Sequence, residues 1–335
     1  MSRKLSTMQA INEALRIAME KDSDVILMGE DVVGGGGREG DELDEMGGVL
    51  GVTKGLVKTF GPERVLDTPI SEMGLLGTAV GAAATGMRPV AELMFCDFIG
   101  VCLDPLLNQA AKLRYMFGGK ARVPLTVRTV SGAGMRAAAQ HSQSLYWITT
   151  GIPGLKTVIP SNPADAKGLL LAAIRDDDPV VFCEAKGVLN ERGEVPEGDY
   201  EIPLGKANIV REGTDITLIG FGATVKTALS AADHLAADGK SAEVIDLRSL
   251  QPLDEEAILA SLEKTGTVVV VDEATPRCGI ASDIAALCVD QGFDYLNAPV
   301  KRVTAPHTPV PFSAVLEDAY IPSTERVLEA ARGLL

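Results

Sequence analysis

Short apolar runs alternating with amphipathic stretches predict an α/β protein on mostly parallel sheets, and two further observations make it two doubly wound domains. The chain's 335 residues exceed one average domain of roughly 150. A polar, turn-rich break without periodicity, Gly193-Glu194-Val195-Pro196-Glu197-Gly198-Asp199, divides it, and the alternation starts afresh beyond. The expected organisation is a first domain at 1–190, a linker at 191–213 and a second domain at 214–335.

In the first half, β-rich runs at 25–28, 89–95, 123–130 and 180–183 predict strands. Helical periodicity predicts helices at 7–21, 71–85, 102–116 and 163–175, the last opened by Pro163, whose missing N–H removes no bond in a first turn. The second half repeats strand then helix at 215–220 and 225–237, 242–247 and 254–264, and 267–271 and 280–291. The helix at 71–85 is full of Gly and Ala. Small residues there serve either tight internal packing or a buried subunit interface.

A content of 46% hydrophobic and 23% charged residues is globular. The formal charge of −15 excludes a nucleic-acid binder, since neutralising phosphates needs a surplus of Lys and Arg. It leaves room for a basic partner protein. The five cysteines, Cys96, Cys102, Cys183, Cys278 and Cys288, show no Cys-x-x-Cys or finger spacing and read as reduced thiols. The N-terminus has no apolar signal core, and the apolar run at 75–87 is too short for a bilayer, so a cytoplasmic protein off the membrane is expected.

Two glycine patterns invite a nucleotide reading. Gly35-Gly36-Gly37-Arg38-Glu39-Gly40 is followed at once by Asp41, Glu42, Asp44 and Glu45, which would repel a diphosphate. Gly220-Phe221-Gly222-Ala223-Thr224-Val225 follows a strand, opens a helix and precedes Asp246 at the next strand end, but Val225 stands where a third Gly would pack. A dinucleotide-binding oxidoreductase is therefore one reading. Of the three histidines, His234 lies on an amphipathic helix. His141 follows a Gly-rich turn after a buried strand, where α/β sites gather, and is either structural or a proton carrier. Glu30 ends a buried run, and Glu72 begins the small-residue helix, where a carboxylate also suits the helix dipole.

Three long motifs in order carry a family resemblance: Asp67-Thr68-Pro69-Ile70-Ser71-Glu72-Met73-Gly74, Ala138-Ala139-Gln140-His141-Ser142-Gln143 and Ile174-Arg175-Asp176-Asp177-Asp178-Pro179. With Met28-Gly29-Glu30-Asp31-Val32 and Val244-Ile245-Asp246-Leu247-Arg248, the chain resembles, nearly end to end, the β subunit of the thiamine-diphosphate-dependent first component of 2-oxo acid and acetoin dehydrogenase complexes. Arg114-Tyr115-Met116-Phe117-Gly118-Gly119-Lys120-Ala121 and Thr304-Ala305-Pro306-His307-Thr308-Pro309 resemble the acetoin type most.

The resemblance implies a pyrimidine-binding domain followed by a transketolase C-terminal-like domain. It implies that Glu72 bonds the cofactor's pyrimidine nitrogen, where a carboxylate can share a proton and an amide cannot. Phe98 would stack on that ring, Glu30 would stand near it, and His141 would be the active-site histidine that assists acyl transfer. No Gly-Asp-Gly occurs in the chain. The divalent ion, expected to be Mg, and the diphosphate would then be held by an α subunit in an α2β2 heterotetramer. A lipoyl acyltransferase core is the implied acceptor, docked by a basic module. A monovalent cation such as K+ would bind backbone carbonyls of Leu125, Ala173, Asp176 and Asp178. His307 departs from the acidic residue common in pyruvate-type chains and would face the α subunit or the site entrance. The expected reaction is acetoin cleavage to acetaldehyde with acetyl transfer to lipoamide; the alternative is oxidative decarboxylation of pyruvate or a branched 2-oxo acid.

Overall fold

The computed structural model describes residues 2–34 and 46–335. The glycine-rich motif at 35–40 and the acids at 41–45 lie outside the described residues. The first half contains β1 (Ser2–Ser6), α1 (Thr7–Lys21), β2 (Val25–Gly29), α2 (Leu56–Phe60), β3 (Val65–Asp67), α3 (Glu72–Ala84) and β4 (Arg88–Phe95). A 3-10 turn (Cys96–Gly100) and a π turn (Pro105–Ala110) lead into α4 (Ala111–Met116). Then come β5 (Thr126–Ser131), α5 (Tyr146–Thr150), β6 (Lys156–Val158), α6 (Pro163–Arg175), β7 (Val180–Ala185) and β8 (Arg192–Pro196). The second half contains β9 (Asn208–Arg211), β10 (Ile216–Gly220), α7 (Thr224–Ala237), β11 (Ala242–Asp246), β12 (Ser249–Gln251), α8 (Glu255–Thr265), β13 (Val268–Asp272), α9 (Ile280–Gly292), β14 (Lys301–Thr304), α10 (Ala314–Tyr320) and α11 (Thr324–Arg332).

Seven strands form the first sheet in the order β12-β6-β7-β5-β4-β2-β3, parallel except for β12. The second sheet runs β14-β13-β10-β11-β9 and is parallel except for β9. β8 pairs antiparallel with β1, so β8 and β9 both lie within 191–213, the segment expected as linker. The helix expected at 102–116 is interrupted by the π turn, with Asn108 donating back to Asp104 at 2.6 Å. Among the described residues no helix is long and apolar enough to cross a membrane.

Strand alternation sorts the cores. Val25 and Leu27 of β2 pack with α1 and α6, while Ile26 and Met28 face Leu75 and Leu76 of α3. In β13, Val269 and Val271 pack with α7 and α11, and Val268 and Val270 turn the other way. That other way leads into one continuous core, from Leu93 and Val127 of the first half to Phe221, Ile245 and Val270 of the second. Each fully buried aliphatic side chain contributes roughly 1.5–3 kcal/mol, against about 1 kcal/mol net for a hydrogen bond. Apolar packing therefore couples the halves.

The turn Gly220-Phe221-Gly222 is part of this junction. Gly222 has φ +52°, and a Cβ on it would sit 2.9 Å from Ile159 Cγ1 and 3.1 Å from the Ala185 Cβ. Phe221 is buried against Tyr146, ring centroids 5.4 Å apart, and Thr224 Oγ1 bonds the Phe221 backbone. Asp246, at the next strand end, is fully buried and accepts from Ser161 Oγ and the Arg248 N–H. Gly222 thus serves packing between the halves, whereas Gly220 lies against the start of its own helix, where a Cβ would meet Val225 N at 3.0 Å.

Candidate active site

Parallel strands leave their carboxyl ends on one edge of the sheet, where following loops gather polar groups. At the end of β2, Gly29 allows a tight crossing: a Cβ there would meet Glu92 Cβ and Val32 Cγ1 at 2.9 Å. Glu30 follows immediately. Its Oε1 is buried without a hydrogen-bond partner. Burial pushes the Glu30 carboxyl up from its ordinary range, and the charges of Glu72 and Asp31 push it further. Glu72, half-buried at the first position of α3, thus faces Glu30 closely enough for like charges to matter. Cys102 stands beside the same acid: burial, with Glu72 next in effect, drives its thiol up to about 12, and its Sγ donates to Phe98 O at 3.2 Å.

Phe98 lies in the 3-10 turn after β4. A register shift between Leu93 and Phe95 opposite β5 re-aims the end of that strand. Phe95 and Phe98 meet edge to face at 5.8 Å, and the His141 ring packs against both, 5.0 Å from Phe95 and 5.4 Å from Phe98. The structure thus brings Glu30, Glu72, Phe98 and His141 to one end of the first sheet. Beneath them Arg128 is buried between Glu92 and Glu184, at 2.7 Å from each.

The His141 loop is held from three sides. Gly132 N–H donates to Gln143 O at 3.0 Å, closing it. Asp97 accepts from the Gln143 backbone N–H at 3.1 Å and side chain at 2.8 Å, and its Oδ2 is buried without a partner. The second domain supplies Glu273, which accepts from Ala133 N–H at 2.6 Å, and Glu317, which accepts from Gly134 N–H at 2.9 Å and Arg136. Gly132, at φ +89°, has no Cβ because one would fall 2.7 Å from the Glu273 carboxylate. Arg136 and Ala138 sit at φ +56° and +61°, a strain of about 1–3 kcal/mol each that this clamp offsets. From β7's end, buried Lys186 donates to the His141 carbonyl.

A cavity of about 360 Å³ opens between this loop and the second domain, lined by Gln143, Trp147, Thr275, His307, Thr308 and Tyr320. His307 is exposed on its rim. The expected cation ligands lie elsewhere. Leu125 precedes β5, Ala173 lies in the last turn of α6, and Asp176 and Asp178 precede β7, all at the opposite end of the sheet. Leu125 O accepts from Val180 N–H at 2.9 Å, Ala173 O from Asp176 N–H at 3.3 Å, and Asp176 O from Arg88 at 3.0 Å. Lys156 and Arg114 already neutralise the carboxylates of Asp176 and Asp178, each at a closest 2.6–2.7 Å.

Sequence reasoning missed Asp97, Gln143, Lys186, Glu273 and Glu317. Asp272-Glu273 at the end of a run of four valines was the available signal; Asp97 and Lys186 sit in short 3-10 turns, Gln143 closes the His141 motif and Glu317 lies on α10.

The site has the chemistry to hold half of a cofactor. A half-buried carboxylate, an aromatic face and a buried unpartnered carboxyl oxygen suit an aminopyrimidine. The surroundings do not suit its diphosphate: Glu30, Asp31, Asp67 and Glu72 crowd the strand ends, and among the described residues no group of acids, histidines or cysteines could hold a metal ion. Residues 3–191 match the family described as "Transketolase, pyrimidine binding domain", and residues 205–327 match "Transketolase, C-terminal domain". The chain belongs to the transketolase family. This transketolase-family chain is 63% identical to the acetoin:2,6-dichlorophenolindophenol oxidoreductase subunit beta of Bacillus subtilis, over 100% of the chain and 98% of that protein. It is 58% identical to the protein of the same name from Cupriavidus necator, covering 99% and 98%. Identity falls to 45% for the pyruvate dehydrogenase E1 component subunit beta of B. subtilis, covering 99% of both. Among solved structures, a split-gene transketolase, an inactive beta4 tetramer, shares the fold at TM-score 0.78 and 22% identity, covering 99% of the chain and 98% of that protein.

Proposed function

We propose that the chain is the β subunit of a thiamine-diphosphate-dependent acetoin dehydrogenase, acting in the cytoplasm. It cleaves acetoin to acetaldehyde and passes an acetyl group to the lipoamide of an acyltransferase component, whose dithiolane disulfide is reduced in the step. The observation that carries the reading is the full-length 63% identity to an acetoin oxidoreductase subunit beta, together with a site built for only half of the cofactor.

Thiamine diphosphate, when bound, supplies the carbon nucleophile that adds to the acetoin carbonyl. Glu72 is the group that shares a proton with the pyrimidine ring nitrogen, because a carboxylate can exchange a proton there and an amide could not. Phe98 offers its face to the ring. Glu30, whose proton is held more tightly because of burial and the charge of Glu72, can pass that proton along the strand ends. His141, fixed between Phe95 and Phe98, faces the acyl acceptor. The diphosphate and its Mg ion belong to an α subunit, and Ile70, Met73 and Val101, exposed near Glu72, are apolar surface for that partner in an α2β2 assembly. A K+ ion at the far end of the sheet would share the carbonyls of Leu125, Ala173, Asp176 and Asp178 with the donors already there.

Purified α plus β protein, assayed on acetoin and on pyruvate with lipoamide as acceptor, tests the reading. Acetoin turnover by the pair and none by either chain alone is expected. Turnover of pyruvate or a branched 2-oxo acid alone would overturn the substrate assignment.

A further inference from the structure

We propose that Lys186 is a positioning residue for His141, a claim that rests on the active-site role given to His141 above. Lys186 follows β7, and its whole residue is buried. The ammonium does two things at once. It donates to the main-chain carbonyl of His141, and it lies 4.8 Å above the centroid of Phe95, the ring nearest the His141 imidazole. One cation therefore fixes both the backbone of His141 and the aromatic wall its side chain rests on.

A simpler role would be charge balance, since Asp97, Glu273 and Glu317 all act on the Lys186 charge. Those acids, however, are already engaged with the same loop, through Gln143, Ala133, Gly134 and Arg136. Lys186 differs from them in reaching His141 itself, the loop residue whose ring packs on Phe95 and Phe98. Burial makes an ammonium costly here, and the acids around it together with its bond to the His141 carbonyl offset that cost. The loop's left-handed backbone at Arg136 and Ala138 makes the imidazole's placement depend on such anchors.

The test uses three substitutions in the β chain. Lys186→Met removes both contacts at similar volume, Lys186→Arg keeps a cation and its donors, and His141→Ala removes the target. With only three histidines in the chain, and His234 and His307 exposed, the carbon-13-labelled imidazole signal of His141 is the one lost in His141→Ala. In Lys186→Met that signal is expected to move while the other two stay, and in Lys186→Arg it is expected to hold. Reconstituted with α subunit, Lys186→Met should lose about ten- to a hundredfold in kcat on acetoin with KM little changed, and Lys186→Arg should recover most of it. The double variant Lys186→Met with His141→Ala should be no slower than His141→Ala alone. If Lys186→Met fails to assemble, Lys186→Leu, which also lacks both the charge and the donor, carries the same readouts. An unmoved His141 signal, or a further loss in the double variant, overturns the proposal. A wild-type rate from His141→Ala removes the role on which the proposal rests, and that failure is recognisable because the ring signal still moves in Lys186→Met.

Discussion

The hydroxyl of Tyr146 in α5 donates to the carboxylate of Asp272, at the end of β13, across 2.5 Å of fully buried space. The same carboxylate accepts from the N–H groups of Ala274 and Ala281, so one side chain ties the helix following the His141 segment to two points of the second domain. Tyr146→Phe leaves the ring packing on Phe221 intact and removes only the hydroxyl. Thermal unfolding should show a loss of about 1–3 kcal/mol; an unchanged Tm would mean the bond contributes nothing net.

Glu72→Gln preserves shape and hydrogen bonding but not proton exchange. With α subunit present, turnover should drop by a factor of about 100 or more, with assembly intact by gel filtration. A scaffold subunit without chemistry of its own would tolerate the change.

Gly222→Val places a branched side chain at φ +52° against Ile159 and Ala185. The expected result is a loss of about 2 kcal/mol or more in stability. Calorimetry with NAD on the unmodified protein should show no binding. Heat of binding that disappears in Gly222→Val would restore the dinucleotide reading of that turn.

Burial pushes the carboxyls of both Asp246 and Glu273 up to about 7. Between pH of about 4 and 7 these two groups keep protons in the folded chain that the unfolded chain has already released, so the stability they contribute is greatest at the acid end of that window and is lost as pH rises through 7. Asp246→Asn should flatten the decline of Tm between about pH 5 and 8, by an amount on the order of 1–3 kcal/mol. A variant whose Tm falls as steeply as the wild type would remove Asp246 as a contributor.

Much of this architecture was legible in the residues. The apolar runs of β2, β4, β7, β10, β11 and β13 alternate between the core on one face of their sheet and the core on the other, and period 2 within short runs is a local signal. Glu30, Glu72, Phe98 and His141 were legible only through long motifs, because nothing local distinguishes a carboxylate at a helix start from an ordinary dipole partner. The clamp on the His141 loop was not legible. Glu273 lies 140 residues from Ala133 and Glu317 lies 183 from Gly134, and contacts that distant leave no periodic trace. The β12 strand was missed for the same reason: Ser249–Gln251 is three residues long, and its partner β6 belongs to the other half of the chain.

That short strand has a consequence for anyone dividing the protein. Since β12 completes the edge of a sheet made otherwise from residues before 190, a fragment ending near the polar break would expose the unsatisfied peptide groups of β6 and half of the shared core. Such a piece is expected to clump when expressed, whereas a polypeptide carried on past Gln251 would supply its own seam.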